Sequence, residues 1–326
     1  MPAASIIVPA FNVARTIGAT MDALLAQTFD DFEIIVVDDG SRDTTADILE
    51  RYVSNPKVTI IMQRNRGLAG ARNTGINAAV GEFVGFCDAD DLWLPEKLQQ
   101  HVRHLRSKPD VGISFCGSEL IDDNGAPLGM FQRPRLKGLT ATHIFKRNPI
   151  GNGSAPVIRK KVFAAIAYRP RSEGLRDWYF DETFRQSEDI ECWLRIALTT
   201  DWKFEGIPGY LTQYRINAGG LSAATDDQLA AWERMVGKLT PLCPDFFAWE
   251  GPAARAYQLR YLARRAISDK DTTRAMALLR ASVRQSWRPF WEEPRKTAMT
   301  AAAVALLALA GPLVIDVLMG TWGKKA

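Results

Sequence analysis

Phe83-Val84-Gly85-Phe86-Cys87-Asp88-Ala89-Asp90-Asp91 begins as an apolar run of strand length and ends in three carboxylates. Apolar strands normally end in turn formers, and one Asp would serve for that. Three crowded carboxylates repel one another and raise each other's pKa unless a cation sits between them. Oxygen-only ligands suit a hard cation, Mg²⁺ or Mn²⁺, which keeps open positions for the phosphates of a nucleotide. The plainer alternative is an Asp-rich loop that caps a helix starting near Leu94-Pro95.

Upstream of this stretch, strand and helix patterns alternate. Residues 5–9 read as a short buried strand, and 13–27 carry helical spacing through Val13, Ile17, Met21, Leu24 and Leu25. Residues 33–37 are a second strand, followed by Asp38-Asp39-Gly40-Ser41, a turn with helix-capping residues. A helix over 44–53, a strand over 58–62 and a helix over 68–80 complete the run. Such alternation implies an α/β fold with a parallel sheet covered by helices on both faces. Ligands bind such sheets at the carboxyl ends of the strands. Pro9-Ala10-Phe11-Asn12, Asp38-Asp39 and Asp88 to Asp91 all fall at such ends.

Beyond residue 111 the pattern changes. A strand is predicted over 111–116, and a hairpin from 120–123 and 128–131 around Asn124-Gly125. A loop-rich stretch contains Gly151-Asn152-Gly153-Ser154. Residues 188–199 read as a helix, 202–205 and 210–214 as strands, and 226–290 as several helices, with 251–288 resembling one antiparallel pair.

The chain has 326 residues, 47% hydrophobic and 24% charged, which excludes disorder as its general state. Its net charge of +4 is unevenly placed. Residues 251–296 hold eleven Lys/Arg against four Asp/Glu, a local +7, so the remainder is near −3. That basic segment carries Trp287, Phe290 and Trp291 and suits an anionic surface, membrane or nucleic acid. Cys87, Cys116, Cys192 and Cys243, with His101, His104 and His143, make no Cys/His metal spacing and fit a reducing compartment. Met1-Pro2-Ala3-Ala4-Ser5 lacks a basic stretch and is not expected to be a signal peptide. From Ala298 to Ile315 eighteen residues carry no charge, the lower limit for a bilayer span. Many are Ala, Gly, Pro or Thr and Asp316 follows, so a surface helix competes with a span. Membrane association is the favoured reading, since the basic segment directly precedes it.

Ile6-Ile7-Val8-Pro9-Ala10-Phe11-Asn12, Val36-Val37-Asp38-Asp39-Gly40-Ser41, residues 67–73, Asp88-Ala89-Asp90-Asp91 and Ser187-Glu188-Asp189 occur in this order and spacing. Together they resemble the family-2 inverting nucleotide-sugar glycosyltransferases of bacterial exopolysaccharide and cell-surface glycan assembly. The resemblance covers about residues 4–220. It implies a GT-A fold, a Rossmann-like mixed sheet flanked by helices, with a C-terminal helical extension. The catalytic domain would be 1–220, its nucleotide-sugar half about 1–115 and its acceptor half about 116–220. A basic helical extension (221–296) and an apolar membrane-associated or transmembrane helix (297–320) would follow.

Carried over residue by residue, the resemblance puts Pro9, Ala10 and Asn12 along the nucleotide pocket, with Phe11 near the base. Asp39 would accept a hydrogen bond from the base, favouring uracil and its N3–H donor. Arg72 and Asn73 would face the nucleotide-sugar. Asp88, Ala89 and Asp90 would form the metal loop, with Asp88 near ribose and metal and Asp90 coordinating Mn²⁺ or Mg²⁺. Asp189 would be the general base. The implied partners are a UDP-sugar donor, a glycan or lipid-linked saccharide acceptor and an anionic membrane surface, without nucleic acid. The implied location is the cytoplasmic face of the inner membrane.

Two departures narrow the expectation. No Gln-x-x-Arg-Trp motif of the processive polymerases is present, which favours one sugar per event. Where many relatives carry Tyr-Arg-x-His, this chain reads Tyr214-Arg215-Ile216-Asn217, so Arg215 keeps a diphosphate role while the histidine role is gone. Ser187, Glu188 and Asp189 also suit a plain helix start. No G-x-G-x-x-G follows strand one, which excludes a dinucleotide-dependent dehydrogenase. A nucleotide-binding but inactive membrane scaffold is the competing function.

Overall fold

The computed structural model describes residues 1–170, 176–216 and 225–310. Two compact units emerge, the first from Met1–Ala141 with Asn148–Gly220, the second from Thr142–Arg147 with Leu221–Ala326.

In the first unit, β1 (Ala4–Ala10), β2 (Phe32–Asp38), β3 (Val58–Met62) and β4 (Phe83–Phe86) are mutually parallel. The rest of the sheet comes from β5 (Leu92–Trp93), β6 (Val111–Ile121), β7 (Pro127–Gln132), β8 (Val157–Arg159) and β9 (Lys203–Arg215). The strand order is β3-β2-β1-β4-β8-β6-β9-β5, with β7 paired to β6. β8 runs antiparallel to β4 and β6, so the sheet is mixed, as the GT-A expectation requires.

Burial on both faces explains the continuous apolar strands. Ile6, Val8, Ile34 and Val36 pack with Ile17, Met21 and Leu24 of α1 (Ile17–Leu25). On the other face, α3 (Gly67–Ala78) approaches so closely that a Cβ on Gly75 would lie 2.3 Å from the Ile7 side chain. α2 (Thr45–Leu49) follows β2 and adds Leu49 to the cluster on the α1 face. The remaining elements of this unit are α4 (Lys97–Ser107), α6 (Lys160–Ile166) and α7 (Glu188–Thr199). α7 has the bounds its sequence periodicity predicts.

Three local expectations are revised. The first helix begins at Ile17 rather than 13, because Val13 and Ala14 donate their N–H groups to Thr45 Oγ1 and Asp43 Oδ2 and form a turn. The strand predicted to stop at 116 continues to Ile121. Residues 202–214, read as two strands, form the single β9, in which Pro208 and Gly209 (φ +105°) are absorbed by a register shift against β6.

The second unit is helical, with α5 (Ala141–Lys146), α8 (Thr225–Leu239), α9 (Pro244–Ser268), α10 (Thr272–Gln285), α11 (Arg288–Glu292) and α12 (Pro294–Ala310). α9 and α10 are the antiparallel pair expected from the sequence: Ser282 Oγ donates to the Ala256 carbonyl at 2.7 Å, while Ala275 packs with Ala266 and Ile267. Asp271 caps α10 by accepting the Arg274 N–H. Phe145 stacks on Trp232, 5.4 Å between centroids. Of the apolar stretch 297–320, residues 311–320 lie outside the described residues. Among the described residues no helix is long and apolar enough to cross a membrane.

Candidate active site

The parallel strands bring their carboxyl ends to one edge. Ala10 pairs with Asp38, and the ladder continues as Asp39 N–H donates to the Ala10 carbonyl and Cys87 N–H to that of Ile7. Pro9 and Ala10 are buried at the end of β1, while Phe11 and Asn12 emerge into solvent. Asn12 holds a left-handed backbone (φ +53°), a conformation Asn tolerates better than most residues. Its N–H donates to Ser41 Oγ and its Oδ1 accepts the Arg42 N–H, so it ties the loop after β1 to the loop after β2.

Asp38 and Asp39 do different work. Asp38 Oδ1 accepts the Ser41 N–H within its own turn. Asp39 is buried and reaches across to the start of α3: Oδ1 accepts from Gln63 Nε2 (2.6 Å) and the Arg66 N–H (2.8 Å), Oδ2 from the Gly67 N–H (2.8 Å). Carboxylate at a helix N-terminus is favourable. Two carboxylate oxygens have about four acceptor sites, so Oδ2 retains one.

The three carboxylates after β4 separate into two kinds. Asp91 is fully buried and turned inward, accepting from Ser154 Oγ (2.5 Å) and from the Arg215 N–H (2.9 Å). Burial, with help from the charges of Asp88 and Asp90, pushes its pKa well above the usual carboxylate range. Asp88 and Asp90 remain part-exposed on either side of buried Ala89. Arg215 spends its guanidinium on backbone: Nε donates to the Asp90 carbonyl and Nη1 to that of Asp122. It therefore fixes the shape of the acidic loop.

Arg72, only 2% exposed, links motifs over a hundred residues apart. Nη2 donates to Asp88 Oδ1 (2.9 Å) and Nη1 to Glu188 Oε1 (2.8 Å), with the guanidinium 5.7 and 5.5 Å from the ring centroids of Phe86 and Phe180. Bonds between charged partners in a dry site are among the stronger ones. Glu188 is pushed up to about 7, by burial first and by the Asp189 charge, against the pull of Arg72. Asp189, the expected base, is half-buried; Oδ2 accepts from Asn148 Nδ2 (3.0 Å) and Oδ1 from the Ile190 N–H (2.8 Å). Burial raises its pKa too, Arg72 opposing. Ser187 stands before α7 in a left-handed conformation (φ +59°) and its hydroxyl makes no capping bond. A simple Ser-capped helix start is thus not what these three residues form.

Asn73, expected to face the nucleotide-sugar, is fully buried and occupied elsewhere. Its Nδ2 donates to the Phe180 carbonyl and Glu182 Oε1, and its Oδ1 accepts the N–H groups of Tyr179 and Phe180. It moors the segment that leads into Ser187-Glu188-Asp189. Glu182 adds Arg66 at 2.9 Å and a close pair with Arg176. Asn148, Glu182 and Ser154 carry no local sequence signal for these roles. Gly153 lies so near the acidic loop that a Cβ would stand 2.3 Å from Arg72 Nη2 and 3.0 Å from Asp88 Oδ2.

Asp88 Oδ2 and the Asp90 carboxylate are the oxygen donors this loop offers a hard cation. Among the described residues no cluster of three His, Cys, Asp or Glu side chains is assembled for a metal. Two carboxylates fit Mg²⁺ or Mn²⁺, which are bound by one or two carboxylates and completed by substrate phosphates.

Residues 5–166 match the family described as Glycosyl transferase family 2. An uncharacterised glycosyltransferase of Methanocaldococcus jannaschii is 26% identical over 219 residues, 66% of this chain and 71% of that protein. The Escherichia coli protein WfgD, named UDP-Glc:alpha-D-GlcNAc-diphosphoundecaprenol beta-1,3-glucosyltransferase, is 28% identical over 256 residues, 78% of this chain and 90% of the relative. Among solved structures, S. aureus TarS 1-349 in complex with UDP-GlcNAc matches with a TM-score of 0.60 at 17% identity, covering 86% of this chain and 90% of that one. The last likeness is one of fold.

Proposed function

Since the chain belongs to glycosyltransferase family 2, we infer that it is an inverting, metal-dependent, non-processive transferase moving a sugar from a UDP-sugar to a hydroxyl of a lipid-linked glycan in surface polysaccharide assembly. One observation carries this reading: Arg72 binds Asp88 and Glu188 with one guanidinium, so the acidic loop and the Glu188-Asp189 pair share one cleft. The lipid-linked acceptor is inferred from the name of the WfgD relative and from the basic, apolar C-terminal region.

In this reading Pro9, Ala10, Phe11 and Asn12 line the nucleotide pocket, and the remaining acceptor site on Asp39 takes the uracil N3–H. Arg72 orients the donor-side carboxylate of Asp88, and Arg215 holds the acidic loop near the diphosphate. Asp88 and Asp90 would hold a divalent cation, which when bound would supply positive charge to offset that growing on the diphosphate leaving group. Asp189 takes the proton of the acceptor hydroxyl on the face opposite the leaving group. Its two existing hydrogen bonds fix the carboxylate while leaving acceptor capacity on both oxygens. A single base with in-line attack inverts the anomeric centre, so an α-linked donor yields a β-linked product. Residues 1–220 form the catalytic domain and 221–296 a basic extension. The catalytic domain works on the cytoplasmic face of the inner membrane, a setting that suits cysteines carried as thiols.

The test is UDP release from a panel of UDP-sugars, with Mn²⁺ or EDTA, with and without membrane lipid extract. Release that needs metal, one donor and lipid supports the reading. Metal-dependent UDP binding without any release supports the inactive scaffold, and no UDP binding refutes the donor assignment.

A further inference from the structure

We propose that the second unit carries a docking surface for an anionic lipid bilayer, formed by α11 and one exposed face of α12, and that α12 lies along the bilayer surface rather than through it. On α12, Arg295, Met299, Leu306 and Leu309 recur at spacings that place them on one side, and all are exposed, Leu309 to 87%. The opposite side, Thr297, Thr300, Val304 and Leu307, is buried, the last two within a cluster shared with α9 and α10. A helix packed along one face on its own unit cannot be surrounded by lipid. It can present its other face to an interface.

Three features select a lipid surface as the occupant. No acidic residue occurs between Pro294 and Ala310, and Arg295 stands at the polar end of the stripe. Arg295 on α12, and Arg284 in the last turn of α10 just before α11, are exposed and form no ion pair among the described residues, so their charge is available to headgroups. Trp287, at the N-cap of α11, and Trp291, within it, are 60% and 79% exposed. Tryptophan rings and arginines beside an apolar stripe match the chemistry of a membrane–water interface.

The proposal deepens the lipid-linked acceptor reading and rests on it for its purpose, but it is tested separately. The full chain is floated with vesicles of phosphatidylcholine alone and with vesicles that also contain phosphatidylglycerol, both free of saccharide. Binding is expected only to the anionic vesicles, weakening with salt, with a blue shift of emission that Trp287→Phe with Trp291→Phe diminishes. Leu306→Asp with Leu309→Asp abolishes flotation, and Arg284→Gln with Arg295→Gln weakens it roughly thirtyfold. UDP affinity, measured on every variant, stays at the parental value and reports both folding and the donor site. The proposal is overturned if the parent ignores anionic vesicles, or if the leucine and the arginine double variants both float undiminished. It is also overturned if the parent is a dimer without lipid that Leu306→Asp with Leu309→Asp turns into a monomer, since the face then belongs to a second copy.

Discussion

Asn148 donates its side-chain amide to Asp189 at 3.0 Å, on the carboxylate oxygen opposite the one held by the Ile190 N–H. Asp189 is therefore oriented by one loop residue and by its own helix. Neither bond comes from a cation, so the carboxylate keeps its basicity, and burial raises that basicity further. That combination suits a general base rather than an electrostatic anchor.

Asp189→Asn removes the proposed base while keeping the shape. Transfer should fall by about 10²- to 10⁴-fold, with UDP affinity unchanged. Transfer rates and calorimetric UDP binding on the same preparation decide it: weakened binding with retained transfer would remove Asp189 from the base role. Asn148→Ala should lower kcat and leave the donor KM alone, as expected of a residue that positions the base.

Asp90→Ala tests the other half of the cleft. Asp88 commits one oxygen to Arg72 and Asp91 is turned inward, while Asp90 stands part-exposed at the mouth of the same loop. The variant should lose the Mn²⁺-dependent part of UDP binding and keep the metal-free remainder. Identical Mn²⁺ dependence in parent and variant would sink this role.

Gly153 makes a sharper structural test. A Cβ there would stand 2.3 Å from Arg72 Nη2, and that nitrogen cannot retreat without breaking the pair with Asp88 or the partner bond to Glu188. Overpacking of this kind costs about 1–3 kcal/mol, and roughly 2–4 °C of melting temperature per kcal/mol is expected for a unit of this size. Gly153→Ala should therefore melt several degrees lower and bind donor less well. Gly237→Ala on α8, where a Cβ meets nothing within 4 Å, is the control and should melt no lower than the parent.

The contrast between Asp88 and Asn73 shows how far the sequence could be read. The acidic loop was legible because its chemistry is local: an apolar strand, then adjacent acids, at the carboxyl end of a parallel sheet. The bounds of α7 were legible because its apolar spacing is local too. Asn73 sits in an equally recognisable stretch, yet its four bonds go to residues 179–182, and nothing in either segment announces the other. The same holds for Asp39, which reads as a cap for the helix after it but serves α3 instead. Asp91, counted among three equivalent acids, is set apart only by Ser154 and Arg215, which the fold brings in from far along the chain. Alternation reveals elements and their ends; it does not reveal which loop a buried side chain will meet.

Glu188 sets burial against attraction, and pH shows which wins. Arg72 alone would pull its pKa down, but loss of water raises it from 4.5 to about 7. Between those values the folded chain keeps a proton that the unfolded chain has released. Stability from this group is therefore full below about pH 4.5, declines as pH rises, and is gone above about 7. Glu188→Gln keeps a neutral acceptor for Arg72 Nη1 and has nothing to titrate. Melting temperatures of parent and variant should accordingly diverge in favour of the variant as pH rises through that window. A difference that stays constant would mean that the Arg72 attraction outweighs burial, and that Glu188 is ionised throughout beside Asp189.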